Sequence, residues 1–186
     1  RPMFVGTPVP VKLPNLEKPL GKPRPEMMVP AGTVKLSDGK AVTSSDDFPV
    51  IGELEFLTDG DKDGAEGSYV ELGPGIQHVQ LDLGAPATIH ALVFWHFHAQ
   101  ARAYHDVVVQ ISDDPDFLEG VTTIYNNDHD NSAGMGVGKD MAYIETSEGR
   151  LVDGKGTTGR YIRLYSKGNT ANEMNHYIEV EVYGFP

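Results

Sequence analysis

The chain has no cysteine among its 186 residues, so no disulfide stabilises it and no thiol nucleophile is available. Basic residues are also scarce: Lys and Arg number 15 against 27 Asp and Glu, a formal net charge of −12. This acidity disfavours nucleic acids and anionic membranes as partners, and it favours the binding of cations. No apolar run approaches the roughly 18–20 residues that cross a bilayer, so we expect no membrane insertion.

Motifs of common catalytic centres are missing too. The sequence contains no Gly-x-Ser-x-Gly elbow, no His-Glu-x-x-His zinc motif and no glycine-rich phosphate loop. Carboxylates are plentiful, but none has a spacing that indicates an acid–base pair. We therefore expect a protein that binds a ligand rather than an enzyme.

Proline is concentrated at the N terminus, where residues 1–30 hold eight of the thirteen prolines. Because proline lacks an N–H donor and fixes φ, the sequence predicts an extended arm over residues 1–33. Apolar residues between the prolines leave two alternatives, an arm that packs along the domain and a linker to an upstream partner. The chain begins at Arg1 without a methionine or an apolar signal segment, which indicates a removed leader or an excised fragment.

Residues 34–186 consist of short segments in which apolar and polar residues alternate, separated by Gly, Asp and Asn. This pattern is typical of a β-sandwich or barrel. The predicted strands are Tyr69–Leu72, His78–Leu83, Ile89–His98, His105–Ser112, Thr122–Tyr125, Tyr143–Thr146, Arg160–Ser166 and Tyr177–Tyr183. Eight strands suit a jelly roll, so we predict one all-β sandwich domain. In the last strand, alternation predicts core positions for Ile178, Val180 and Val182, opposite Tyr177, Glu179, Glu181 and Tyr183.

Three of these segments carry a family resemblance: VQLDLG from Val79 to Gly84, GRYIRLY from Gly159 to Tyr165, and YIEVEVYG from Tyr177 to Gly184. In this order they resemble the discoidin, or coagulation factor 5/8 type C, family of galactose-binding-like β-sandwiches. The resemblance implies an eight-stranded jelly roll whose loops at one end bind a ligand, often a carbohydrate.

The segment DGDKDG is a candidate calcium loop, because Asp59, Asp61 and Asp63 have the spacing of an oxygen-ligand turn. An EF-hand is disfavoured, since the twelfth position is not Glu and no flanking helices are predicted. The family resemblance implies a structural Ca²⁺ at this loop, with Leu57 as a further ligand and Glu179 as the first Glu of the closing strand. The alternative is a solvated acidic turn.

His96, His98 and His105 form a second candidate group. His96 and His98 share a face of one predicted strand, and His105 begins the next. Three interpretations remain open: packed structural side chains, contacts to a ligand, or a zinc or copper site. Nearby side chains that could complete a ligand site are Trp95, Arg102 and Tyr104. Trp95 or Tyr104 could stack on a sugar, although a single tryptophan is equally compatible with the core.

Two polar clusters complete the candidate ligand site. Asparagine and aspartate suit hydroxyl or cation recognition, but they also favour simple turns. The clusters are Asn126, Asn127, Asp128, His129 and Asp130, and later Asn175 and His176. Arg163 alternates out of the core on its strand, and the resemblance implies that arginines contact sugars.

Together these features predict a non-catalytic, calcium-stabilised module that binds carbohydrate or a cell-surface glycan. We expect it to be secreted, periplasmic or at the cell surface, within a larger multidomain protein or complex. The alternatives are a copper or zinc protein that uses the three histidines, and a structural subunit whose arm wraps a partner.

Overall fold

The computed structural model describes residues 10–186, and its architecture is all-β. Nine strands are present in the described part: β1 (Val34–Lys35), β2 (Ala41–Ser44), β3 (Val70–Leu72), β4 (Gln77–Trp95), β5 (Val108–Ser112), β6 (Thr122–Asn126), β7 (Arg150–Ser166), β8 (Asn175–Tyr177) and β9 (Glu179–Phe185). A short 3₁₀ helix spans Leu54–Thr58. No helix among the described residues is long and apolar enough to span a membrane.

The two long strands, β4 and β7, form the centre of the sandwich. They pair antiparallel from Gln77↔Ser166 to Phe94↔Arg150, with the register shifting between Asp82 and Ala87. The main sheet has the order β1-β9-β4-β7-β5-β6, and β2 also pairs with β4, while β3 and β8 form a separate ribbon. The first half of β4 pairs with β2 and the second half with β9. The shifted register lets both halves wrap around one core.

That core combines apolar side chains from every long strand. Val79 and Leu81 of the first half of β4 belong to the same cluster as Phe94 of the second half, Ile162 of β7 and Val180 of β9. All five are fully buried, and in β4 the intervening Gln80 lies on the outer face, where it binds Arg163. The predicted all-β jelly roll is confirmed. In these strands the apolar residues that alternate with polar ones face the core, as the sequence indicates.

Several strand boundaries differ from the predicted ones. His78–Leu83 and Ile89–His98 belong to one strand that ends at Trp95, and the short strands β1 and β2 were not predicted. Tyr143–Thr146 was wrongly predicted as a strand. The backbone there makes single bonds to separate segments, with Ala142 pairing Leu16 and the Glu145 N–H donating to the Arg102 carbonyl, so no ladder forms.

The closing segment is two strands, β8 and β9, interrupted at Ile178. Val180 and Val182 face the main core as predicted. At the interruption the Ile178 N–H donates to the Trp95 carbonyl at 2.8 Å. Because of this bond, Tyr177 and Ile178 face the sides opposite to those that the alternation of apolar and polar residues predicts. Tyr177 therefore lies in the main core, and Ile178 packs with Trp95 in a second cluster, contrary to the prediction.

Four connecting segments meet at one end of the sandwich, which we call the loop end. It comprises residues 45–69, 96–107, 127–149 and 167–174. Backbone hydrogen bonds join three of them: the His105 N–H donates to the Gly168 carbonyl at 3.0 Å, and the Asn127 N–H to the Val107 carbonyl at 3.0 Å. Tyr104 and Asn169 also form an isolated antiparallel β-bridge. Residues 45–69 are joined to them through Nε2 of His98, which lies 2.9 Å from the Lys62 carbonyl. Residues far apart in sequence thus share one surface.

The described part of the N-terminal arm lies against the domain beside the loop end. Leu16 forms a parallel bridge with Ala142, whose N–H donates to the Asn15 carbonyl at 3.0 Å. Glu17 forms a bidentate ion pair with Arg150, at 2.6 and 3.2 Å. Residues 15–17 therefore pack on their own domain. The prolines before residue 10 lie outside the described residues.

Candidate functional site

A chain of buried polar contacts links the loop end to the ribbon formed by β3 and β8. The Tyr104 hydroxyl donates to Nδ1 of His176 at 2.7 Å, and Nε2 of His176 lies 2.9 Å from Oε2 of Glu71. Burial lowers the pKa of His176, which favours the neutral ring that this donor arrangement needs. His176 was a predicted site residue, whereas Glu71 carried no sequence signal beyond its place on a strand.

A second carboxylate–histidine pair lies on the other side of Tyr104. Nδ1 of His96 is 2.7 Å from Oε1 of Glu145, and both side chains are about 1% exposed. The His96 ring packs on the Tyr104 ring with centroids 4.4 Å apart. Nε2 of His96, Oε2 of Glu145 and the Tyr143 hydroxyl are buried without a partner among the described residues. Sequence reasoning missed Glu145 and Tyr143 because they lie in the segment wrongly predicted as a strand.

The three histidines do not converge. His96 binds Glu145, Nε2 of His98 lies 2.9 Å from the Lys62 carbonyl, and His105 is held through its backbone. Within residues 10–186, the only group of three His, Asp or Glu side chains with ligand atoms within 4.8 Å of one another is Asp106, Asp128 and Asp130. The arrangement needed for a three-histidine zinc or copper site is thus absent from the described chain.

The two predicted stacking residues are in the core. Trp95 is 3% exposed and its Nε1 donates to the Ser147 carbonyl at 3.0 Å, and Tyr104 is 2% exposed. Neither can stack on a ligand.

Partly exposed aromatic rings of the loop end include Tyr69 and Phe97, which meet edge to face with centroids 5.4 Å apart. Phe48 is 86% exposed, and Phe56 packs against the main core. Tyr69 and Phe97 were overlooked because a single apolar residue at a strand end is indistinguishable from a core residue.

Arg102 lies beside this aromatic pair. Its guanidinium carbon is 4.6 Å from the Phe97 ring centroid, and its Nη2 donates to Oε1 of Gln100 at 3.0 Å. The side chain is buried, and its Nε has no partner among the described residues. Arg102, predicted from sequence, is therefore placed at the loop end next to the partly exposed rings.

Most side chains of the polar cluster at residues 126–130 accept hydrogen bonds from nearby backbone N–H groups and so hold their own loop in place. Oδ1 of Asn127 accepts the Val107 N–H at 2.8 Å, and Oδ1 of Asn126 accepts the Asp128 N–H at 2.8 Å. The Asp128 carboxylate accepts the N–H groups of residues 132 and 133 at 3.0 and 2.8 Å. These three side chains are buried, whereas His129 and Asp130 are exposed. Only the exposed pair is open to a ligand.

Asn175 and Arg163 also have partners within the chain. Oδ1 of Asn175 accepts from Ser166 at 2.7 Å and from the Gly168 N–H at 2.9 Å, so this buried amide fixes the β7–β8 turn. Arg163 lies on the outer face of the sheet instead of the loop end. Its Nε donates to Oε1 of Gln80 at 2.6 Å, and its guanidinium lies 4.5 Å from the Phe117 ring centroid.

The candidate calcium loop follows the 3₁₀ helix, which ends at Thr58 and places Asp59 at its C-cap. Oδ1 of Asp59 accepts the Asp61 N–H at 2.8 Å, and Oδ1 of Asp61 accepts the Asp63 N–H at 3.0 Å. The three aspartates thus form successive turns, and their carboxylates do not make a convergent group. Leu57, whose carbonyl was the predicted ligand, is fully buried at the start of this loop.

Glu179 meets the same loop from β9. Its Oε2 accepts the Gly60 N–H at 2.6 Å, and its Oε1 is buried without a partner. The nearby cations Lys35 and Lys62 both pair with Oε2 of Glu181, each at 3.0 Å, and leave Glu179 unneutralised. The pKa of Glu179 is raised to about 8, mainly by burial and also by the charges of Asp59 and Glu181, against the opposing effects of the Gly60 hydrogen bond and the Lys35 charge. These contacts fit a cation beside Glu179 and Asp59.

The fold is that of known carbohydrate-binding modules. The CBM32 of AlyQ, solved with 4,5-unsaturated mannuronic acid, superposes with a TM-score of 0.59 at 20% identity, covering 80% of this chain and 97% of that one. Chitosan-binding module 1 of a chitosanase/glucanase from Paenibacillus sp. IK-5 has a TM-score of 0.54 at 19% identity, over 81% and 99%. A family 89 glycoside hydrolase from Clostridium perfringens has a TM-score of 0.59 at 18% identity, and the match covers 82% of this chain and 15% of the enzyme.

No protein-family model matches the chain, and a search of curated proteins found no match. The structural likeness therefore shows the galactose-binding-like fold that the strand motifs predicted. The glycoside hydrolase is matched over a small part of its length only, so its catalytic activity does not transfer with the fold.

Proposed function

We propose that this chain is a non-catalytic carbohydrate-binding module whose ligand lies on the loop end. The observation that carries the proposal is the jelly-roll fold shared with carbohydrate-binding modules, together with partly exposed aromatic rings at the end where the connecting loops gather. One of those modules was solved with an acidic sugar and another is named for binding chitosan. A polysaccharide ligand is accordingly the best supported class.

The geometry indicates how a sugar would be held. The partly exposed rings of Tyr69 and Phe97 offer an apolar surface to the C–H face of a pyranose ring. The exposed amide of Gln100, beside them, offers hydrogen bonds to hydroxyls. The buried Tyr104–His176 pair keeps the loops in place beneath the rings, so the surface is formed before a ligand arrives.

A calcium ion at the Asp59–Glu179 loop is part of this proposal. The unpartnered, fully buried Oε1 of Glu179 supports it, because a buried carboxylate without a counter-charge destabilises the fold. Asp59 and Glu179 would be the charged ligands, and backbone carbonyls such as that of Leu57 would complete an oxygen shell. The ion would join the 3₁₀ helix to β9 and would have a structural role.

We also propose that the module works outside the cytoplasm as part of a larger protein. Support comes from the glycoside hydrolase match, in which the corresponding region is a small part of a longer chain. A module of this kind raises the local concentration of its partner at a polysaccharide, because binding becomes intramolecular. Detection of the module in the culture medium or cell-envelope fraction of its source would support this placement, and a strictly cytoplasmic product would contradict it.

The decisive experiment is a glycan array followed by calorimetry with Phe97→Ala and a matched control, Phe117→Ala. Both phenylalanines are partly exposed and lie against an arginine, at 4.6 and 4.5 Å, but Phe117 is on the outer sheet face. We expect Phe97→Ala to weaken binding about tenfold or more, and Phe117→Ala to leave it unchanged. An array with no bound glycan, or equal losses in both variants, would contradict the proposed function and its location.

A further inference from the structure

In the described chain, residues 142–149 belong to the loop end but form no strand ladder of their own. On the inner side this segment contacts the end of β4, since the Glu145 carboxylate lies 2.7 Å from Nδ1 of His96. A carbonyl of the segment also accepts the indole N–H of Trp95 at 3.0 Å. The segment therefore positions the end of the strand that leads directly into Phe97, one of the partly exposed rings.

On its outer side the same segment is bound by the described part of the N-terminal arm. The Ala142 N–H donates to an arm carbonyl at 3.0 Å, and the Ala142 carbonyl accepts an arm N–H at 2.8 Å. At the far end of the segment, Nη1 of Arg24 donates to the Gly149 carbonyl at 3.2 Å. The arm therefore bonds both ends of the segment, and we call its residues 15–24 the strap.

An ion pair adds to these backbone contacts. Glu17 of the strap binds the guanidinium of Arg150 through two bonds of 2.6 and 3.2 Å, and it is the only described carboxylate within 4.0 Å of that group. The guanidinium carbon in turn lies 4.4 Å from the ring centroid of Tyr143, inside the covered segment. The strap thus supplies the counter-charge of a cation that packs directly on the segment.

The strap has the properties of an element that can detach and dock again. Its ion pair is partly exposed, with 35% of the Glu17 side chain open to solvent, and residues 18–23 between the two contact points are exposed. Elements with few buried contacts open at a lower free energy than the core. Pro19 and Pro23 restrict the released chain, so docking again costs little conformational entropy.

We infer that the strap regulates the loop end: docked, it holds residues 142–149 against the end of β4, and released, it leaves that end loose. Its effect on ligand affinity rests on the proposed carbohydrate-binding function, whereas its hold on the segment does not. By linkage, a ligand that needs the ordered loop end stabilises the docked strap by the same factor by which the strap raises ligand affinity. A partner that takes hold of the arm would therefore weaken sugar binding without touching the sugar site.

The test measures hydrogen-exchange protection by NMR at three N–H groups. These are the amide of residue 17 in the strap, the Glu145 amide in the segment and the indole of Trp95, the single tryptophan of the chain. Glu17→Arg places two cations together and should release the strap, so all three groups should lose at least about tenfold in protection. Glu26→Arg makes the same charge change at an exposed position of the arm outside the strap, and it should keep the parent's protection.

The glycan array that tests the proposed function then measures the effect on binding. On each glycan that the parent binds, Glu17→Arg should need at least about fivefold more protein for half-maximal signal, whereas Glu26→Arg should match the parent. Glu17→Gln removes the ion pair without adding a repulsion, and it should show the same losses to a smaller degree. This milder variant decides the question if Glu17→Arg does not fold.

The outcomes separate this inference from the proposed function. Protection lost at residue 17 alone, with Glu145 and Trp95 protected as in the parent, shows that the arm does not hold the segment and overturns the inference, whatever the array gives. Equal losses in Glu26→Arg overturn it as well, and so does an unchanged glycan affinity when all three groups lose protection. A parent chain that binds no glycan overturns the proposed function and the effect on affinity, while the exchange data alone still decide whether the strap holds the segment.

Discussion

Removing the cation from the Asp59–Glu179 loop should make the protein lose stability as the pH rises. Without a cation, burial raises the pKa of Glu179 from its ordinary 4.5 to about 8, so the folded chain keeps a proton that the unfolded chain releases. The stabilising effect of that proton is complete below pH 4.5. It is lost as the pH rises towards 8, because the fold must then contain a buried anion.

The size of this loss in stability follows from the interval between the ordinary pKa of Glu179 and its pKa in the folded chain. From 4.5 to about 8, at about 1.4 kcal/mol per pH unit, the upper bound is about 5 kcal/mol. Relaxation and water entry reduce such penalties, so we expect the free energy of unfolding to fall by about 2–4 kcal/mol. Calcium at a hundredfold excess over its dissociation constant should return about 2.7 kcal/mol, or roughly 5–10 °C in melting temperature.

The assay is urea unfolding between pH 4.5 and 8, with chelator or with calcium, for the parent chain and Glu179→Gln. Glutamine keeps the oxygen that accepts the Gly60 N–H and removes the charge. In chelator at pH 8, Glu179→Gln should therefore be more stable than the parent, and it should not respond to calcium. Glu66→Gln, at an exposed carboxylate nearby, should behave as the parent.

Two results would refute this reasoning. If the parent and Glu179→Gln show parallel pH profiles in chelator, the carboxylate is not protonated in the fold and burial does not control it. If Glu179→Gln still gains stability from calcium as the parent does, the ion binds elsewhere, and Asp59→Ala would then be tested in the same assay.

Further predictions concern packing and charge. Gly149→Ala should cost a few kcal/mol in urea unfolding, because its Cβ would lie 2.6 Å from the Trp95 ring at a φ of +70°; an unchanged midpoint would contradict this close packing. Glu17→Gln should cost about 1 kcal/mol and raise proteolysis of the arm, since it breaks the bidentate pair with Arg150; a protease-resistant variant would show that other contacts hold the arm. The His78 ring should titrate by NMR near pH 4, because burial lowers its pKa to about 4, and a value near 6.5 would contradict its burial.

The strand pattern allowed most of the fold to be predicted from the sequence. Val79, Leu81 and Val180 alternate with polar residues, and they face the core because successive side chains of a strand point to opposite sides. The errors lie where long-range contacts override local pattern. The segment at Tyr143 has the alternation of a strand but bonds to two separate segments, and Ile178 is displaced by its bond to Trp95.

The candidate site was only partly accessible to such reasoning. Composition and motif order indicated the loop end, where Arg102 lies, and His176 lies beside it on β8, in contact with Tyr104. The roles of individual residues depended on burial, which a sequence does not encode locally. Trp95 and Tyr104 have the chemistry of a stacking surface, yet both are in the core, while Phe97 is partly exposed.

The sequence by itself determined the fold class, the acidic character and the group of loops that could bind, because these depend on composition and on the period of two. Tertiary structure alone decided which charges have partners. Glu181 receives two lysines while Glu179 receives none, and Glu145 pairs with His96. Such pairings join residues 49 to 146 positions apart, and their energies depend on burial and distance, quantities that exist only once the chain has folded.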